Sequence, residues 1–140
     1  MELVAALVDA GPLYAYIDAD DAHHEECLAL LENYPGTLAV PVLVVAEAAY
    51  LVATRLGVDP EVRLLGDLAA GAFATAPVEE EDWLRIAELV SLYRDLPLGT
   101  VDASVVAVAE RVGITTLATL DRRHFGVVRP AHCEAFELLP

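Results

Sequence analysis

Along the whole chain, short apolar runs that close on an acid or a turn alternate with longer stretches whose apolar residues recur at helical spacing. No other feature constrains the fold as much. Glu2 to Val8, Thr37 to Val40, Phe73 to Val78, Thr115 to Leu120 and Ala135 to Leu138 read as strands. Asp9-Ala10-Gly11-Pro12 reads as a turn that reverses the chain, with Leu13 to Ile17 a short apolar piece and Asp18 to Asp21 an acidic loop. His23 to Glu32 carries Cys27, Leu28 and Leu31 on one helical stripe. Pro41 suits the first turn of a helix running to about Leu56, with Gly57 as its stop, and Pro60 opens another to about Ala70. The acids Glu79 to Asp82 fit the positive end of a helix that continues through Tyr93. Thr100 is expected to cap a further helix ending at Gly113, and a helical turn is expected from Arg122 to Phe125. Strands alternating with helices define an α/β domain with a mainly parallel sheet covered on both faces. With 140 residues there is room for about one such domain. Its ligands belong beyond the carboxyl ends of the strands, where strand order reverses.

Composition narrows the functional classes. Hydrophobic residues make up 56% of the chain and charged ones 22%, which excludes disordered, collagen-like and disulfide-rich miniature proteins. The longest apolar stretch, Leu38 to Ala46, is about half the roughly 20 residues of a spanning helix, so no membrane partner is expected. No secretory leader is visible at Met1 to Val4, so the cytoplasm is the expected location, with Cys27 and Cys133 reduced. The formal net charge is −15, and every one of the 8 basic residues is an arginine. Nucleic acid is therefore repelled at long range, and an anionic substrate needs local help from bound cations or from an arginine patch such as Arg122, Arg123 and Arg129.

Four carboxylates occupy informative positions. Asp9 follows the first strand and Asp121 the fourth, where ligands or ordinary turn residues both fit. Glu47 is the sole charged residue between Leu38 and Thr54, in a helix apolar enough all round to be buried. With no cation one helical turn away, its desolvation must be offset by a distant arginine or by a metal. Asp102 falls in the first turn of its helix, where the dipole alone is a sufficient reason for an acid. If the four acids converge, their repulsion either raises pKa values or recruits a cation, and carboxylate oxygens suit Mg2+ or Mn2+.

The segments carrying these acids, Val8-Asp9-Ala10, the isolated Glu47, Asp95 through Ser104, and Thr119-Leu120-Asp121-Arg122-Arg123-His124-Phe125, resemble the PIN-domain ribonucleases, specifically VapC-type toxins of toxin–antitoxin pairs. The resemblance spans essentially the whole chain in order. It implies a three-layer α/β/α sandwich, cleavage of RNA dependent on Mg2+ or Mn2+, a homodimer, and a cognate antitoxin that places a basic segment in the acidic pocket. Asp9 and Asp102 match the family's principal metal ligands, and Glu47 and Asp121 its other acidic positions. Thr119 matches a hydroxyl position that orients a ligand or water, while Arg122, Arg123 and Arg129 are left to contact the RNA backbone. Gly11 departs from the pattern, since many relatives carry a serine or threonine there.

Other chemistries find less support. The only serines, Ser91 and Ser104, lie outside any nucleophile elbow, and Ser104 is expected near the metal site. His23, His24 and Cys27, or His132 with Cys133, lack the paired cysteines of zinc sites. The absence of lysine argues against a phosphate-binding loop and a phospho-receiver domain, and Asp9-Ala10-Gly11 lacks the second aspartate of haloacid-dehalogenase-like phosphatases. His124 reads as a surface-loop histidine. The alternative from another class is a non-catalytic PIN-like module that binds a basic partner protein through its acidic face.

Overall fold

The computed structural model describes residues 3–140. Its elements run β1 (Val4–Val8), α1 (Ala10–Ile17), α2 (His24–Asn33), β2 (Thr37–Pro41), α3 (Val42–Leu56), α4 (Val58–Ala69), β3 (Ala74–Ala76), α5 (Asp82–Leu92), α6 (Thr100–Val112), β4 (Thr116–Ala118), α7 (Arg122–Phe125) and β5 (Glu137–Leu139). All five strands pair in parallel, in the order β3-β2-β1-β4-β5. Consecutive residues on the inner strands are buried, such as Ala6, Leu7 and Val8 on β1 or Leu38, Ala39 and Val40 on β2. Neighbouring side chains on a strand face opposite ways, so both sheet faces are covered and the expected three-layer α/β/α sandwich forms.

The chain winds outward from β1 through β2 to β3, then returns across the sheet to β4 on the other side of β1. Strand order therefore reverses between β1 and β4. Beyond the carboxyl ends of these two strands lie Asp9 and, after Ala118, Thr119 to Asp121. The Asp9 amide donates to the Ala118 carbonyl at 2.9 Å, which pins the two strand ends together.

Several local expectations are corrected. Residues 9–12 do not form a turn: Asp9 is the N-cap of α1, and Pro12 lies in that helix's first turn. Proline costs nothing there because the first four helical amides have no intrahelical acceptor. The piece from Leu13 to Ile17 belongs to the same helix. Gly99, rather than Thr100, is the N-cap of α6. α3 is not buried all round. Val44, Ala48 and Val52 are fully buried on one face, while Val42 and Tyr50 on another are 43% and 69% exposed. An apolar composition permits burial without enforcing it, because folded proteins leave much apolar surface in water. Of the first strand expectation, Glu2 lies outside the described residues.

Candidate active site

The walls of a cleft of about 530 Å3 include Asp9, Glu47, Asp102 and Asp121, with Leu51, Leu120 and His124 beside them. Four elements contribute. Asp9 terminates β1, Glu47 projects from the middle of α3, Asp102 sits in the first turn of α6, and Asp121 caps α7. A slightly larger cleft of about 640 Å3 opens before β2 and β3, between Tyr34 and Phe73, but it gathers only Glu32 as an acid. The carboxylate cluster makes the first cleft the candidate site.

Thr119 organises the junction between the two strands. Its hydroxyl donates to Asp9 Oδ2 at 2.8 Å and accepts from the Asp121 amide at 3.0 Å. One buried side chain thereby fixes two acids from distant parts of the sequence. The Asp121 carboxylate is bound in turn through Oδ1, which accepts from the His124 amide at 3.0 Å. Its Oδ2 lies 2.6 Å from His124 Nδ1, and the same nitrogen lies 3.2 Å from Asp102 Oδ2. His124 is thus part of the cleft and not a surface-loop residue. Its i+3 spacing from Asp121 was the available signal, since the capping of a one-turn helix draws the third residue back over the capping acid.

Burial and mutual repulsion shape the electrostatics. Asp9 is buried, and this raises its pKa, while the Ala10 amide and the Thr119 hydroxyl pull the other way and Asp121 adds a smaller upward push. Glu47 is raised by burial and then by the charge of Asp9. Asp102 is pushed up to about 6, first by burial, then by Asp9, with His124 opposing. The arginine bridge considered for Glu47 does not form. Among the described residues its carboxylate has no hydrogen-bond or ion-pair partner.

The other singled-out residues fall elsewhere. Ser104 is buried and its hydroxyl donates to the Val101 carbonyl at 2.6 Å, so it serves its own helix rather than the cleft. Arg122 donates to the Pro140 carbonyl, and Arg129 to the carbonyls of Gly126 and Val128. Arg123 is exposed, with no partner among the described residues. Cys27 is fully buried, its thiol pushed up to about 11 chiefly by burial, while the His24 ring is held by the Ala15 carbonyl. Neither arrangement offers a zinc site. Gly11 explains its own departure from the pattern: a Cβ there would stand 3.3 Å from the Leu120 Cβ, closer than most such contacts.

Comparisons with known proteins identify the family and the fold. The family model described as PIN domain matches residues 6–129. The chain is 38% identical to Ribonuclease VapC26 of Mycobacterium tuberculosis over 134 residues, covering 96% of this chain and 99% of that protein. Its fold is similar to the crystal structure of Mycobacterium tuberculosis VapC20, described as a Sarcin-Ricin loop cleaving toxin, with a TM-score of 0.79, 20% identity, and coverage of 84% of this chain and 91% of that one. A toxin–antitoxin complex from Klebsiella pneumoniae also matches, with a TM-score of 0.67, 18% identity, and coverage of 95% and 100%. Sequence similarity over nearly the full length and the five-stranded parallel fold, with strand order reversing between β1 and β4, lead to one assignment: this chain belongs to the PIN-domain family, in its VapC-type group.

Proposed function

We propose that residues 1–140 act as one PIN domain and that this domain is the endoribonuclease toxin of a VapBC-type pair. A divalent cation, Mg2+ or Mn2+, is held by Asp9, Glu47, Asp102 and Asp121. Glu47 carries this reading. A half-buried carboxylate that faces Asp9 without a hydrogen-bonding or cationic partner among the described residues is a position that a cation relieves. The donor set fits a hard ion, being four carboxylates around a cleft with room for water. When bound, such an ion supplies Lewis acidity toward a phosphodiester oxygen and acidifies an adjacent water.

The chain's own residues perform the positioning. Thr119 holds Asp9 and the backbone of Asp121 in one frame, so the ends of β1 and β4 cannot drift apart. Leu51 and Leu120 line the cleft beside the carboxylates, and their side chains restrict bulk water around the reacting phosphate. α7 begins at the cleft edge, which brings Arg122 and the unengaged Arg123 within reach of an RNA backbone, with Arg129 further along. RNA as substrate is supported by the 38% identity to a protein named as a ribonuclease.

An antitoxin with a basic segment is the proposed partner, supported by the likeness to a toxin–antitoxin complex and by the concentration of negative charge in the cleft. A homodimer is also proposed. Val42 and Tyr50 on α3, with Val58, Val62 and Leu65 on α4, leave apolar area exposed for assembly. No helix among the described residues is long and apolar enough to cross a membrane; the proposed location is the cytoplasm.

The test is to map RNA 5′ ends after brief expression of the wild type and of Asp102→Asn. New ends are expected with the wild type alone. Equal cutting by both proteins refutes the catalytic assignment, and no cutting by either favours the module that binds a basic partner.

A further inference from the structure

Resting on that reading of the cleft, we propose that His124 is a nitrogen ligand of the cation held by Asp102 and Asp121, and that it tilts the site toward Mn2+ over Mg2+. Its Nδ1 lies 2.6 Å from Asp121 Oδ2 and 3.2 Å from Asp102 Oδ2. One ligand atom from each of the three residues lies within 4.8 Å of the others. Adjacent ligands of an octahedral ion with bonds of about 2.1 Å stand about 3 Å apart, and the two observed separations bracket that value.

The other face of the ring supplies an independent observation. Nε2 lies 3.3 Å from the Leu96 carbonyl oxygen. A carbonyl and a carboxylate both only accept, so Nε2 faces an acceptor at Leu96 and Nδ1 another at Asp121; with Nε2 held by the carbonyl, the Nδ1 proton is the one that a cation among the carboxylates would replace. A backbone carbonyl behind the imidazole is the usual means of fixing which nitrogen of a ligating histidine is free to bind metal. The ring is also held from its own backbone. Asp121 Oδ1 accepts the His124 amide while Asp121 Oδ2 faces the imidazole, so capping α7 and aiming the ring are one arrangement.

Nitrogen changes which ion the site selects. Mg2+ takes oxygen ligands and gives up its waters reluctantly, whereas imidazole suits first-row transition ions. Replacing one oxygen or water in an otherwise carboxylate set by Nδ1 therefore favours Mn2+ relative to Mg2+. No step in RNA cleavage is assigned to His124 by this inference.

The test uses the full chain without RNA. Pulsed electron paramagnetic resonance of bound Mn2+ is expected to show a directly coordinated nitrogen, whose signal changes to the 15N frequency in protein labelled with 15N-histidine. His124→Ala is expected to abolish the coupling and to lower the Mn2+-to-Mg2+ affinity ratio, measured by titration calorimetry, by about tenfold. The labelling arm gives its answer in wild-type protein, so it stands even if the variant folds poorly. Mn2+ that binds the wild type without nitrogen coupling, or an affinity ratio unchanged in folded His124→Ala, overturns the proposal and leaves His124 a positioning residue in an otherwise intact metal site. Failure of both ions to bind the wild type overturns the metal-dependent reading as well.

Discussion

Asp102 shows how the placement of a single carboxylate costs stability. With its pKa pushed up to about 6 by burial and by Asp9, the folded state binds a proton more tightly than the unfolded chain does. This contribution is fully present below the ordinary carboxylate range and is lost as pH rises through about 6. Asp102→Asn is therefore expected to be more stable than the wild type at about pH 7.5 in EDTA, on the order of 2 kcal/mol, with little difference at about pH 3, below the ordinary carboxylate value. Thermal melts at the two pH values check this, and a wild type at least as stable as the variant at the higher pH contradicts it. Thr119 is the opposite case, a residue whose hydrogen bonds serve both fold and site. Thr119→Val keeps the shape and removes the hydroxyl, leaving Asp9 Oδ2 and the Asp121 amide unpaired. A loss of about 1–3 kcal/mol in urea unfolding is expected, together with reduced cleavage by the fraction that remains folded. Cleavage per folded molecule equal to wild type would show that the hydroxyl does not position the acids.

At the scale of elements, the sequence is most legible where one local rule decides. Gly113 ends α6 in the left-handed conformation, and Pro41 and Gly57 bound α3. Asp9 and Asp121 follow their strands as the α/β pattern requires. The segment from Asp9 to Pro12 was illegible because turn chemistry and helix-start chemistry use the same residues, and only the tertiary position of α1 separates them. Glu47 was visible as an anomaly, yet its lack of an arginine partner needed the fold. Pairings across long intervals are hidden in the same way. Asp82, almost fully buried at the start of α5, meets Arg111 Nε at 3.0 Å on α6, and Arg111 also donates to the Pro77 carbonyl. Nothing local connects residues 29 apart. Arg111→Ala strands a buried carboxylate, with an expected cost of about 3–5 kcal/mol. Denaturant unfolding measures it, and because Arg111 sits in the last turn of α6 while Asp102 sits in its first, roughly 13 Å away along the helix axis, Mn2+ affinity of the folded variant should be unchanged. A loss of ion binding without a loss of stability would reverse that assignment.

For the whole molecule, the net charge of −15 sets a sign for how RNA arrives. Basic nucleic-acid binders lose affinity steeply as salt rises, because phosphate contacts release condensed counterions. Here the arginines able to help are few. Arg85 is paired with Glu110 and Arg111 with Asp82, while Arg122, Arg123 and Arg129 stand on or just after α7. Their attraction acts over contact distances, whereas the repulsion from the rest of the surface acts over the Debye length, which shrinks from about 30 Å at 0.01 M salt to about 8 Å at 0.15 M. Adding monovalent salt should thus weaken the long-range repulsion before it weakens the local contacts. At a fixed, saturating divalent concentration, kcat/KM for RNA cleavage is expected to rise or stay level between about 20 and 150 mM KCl. Stopped-flow cleavage of a fluorescent RNA across that range supplies the measurement. A steep fall would mean that the arginine patch dominates the encounter. Substituting Arg122 and Arg123 by glutamine should then flatten the salt dependence, while in the repulsion-dominated case it lowers kcat/KM by a similar factor at every salt concentration.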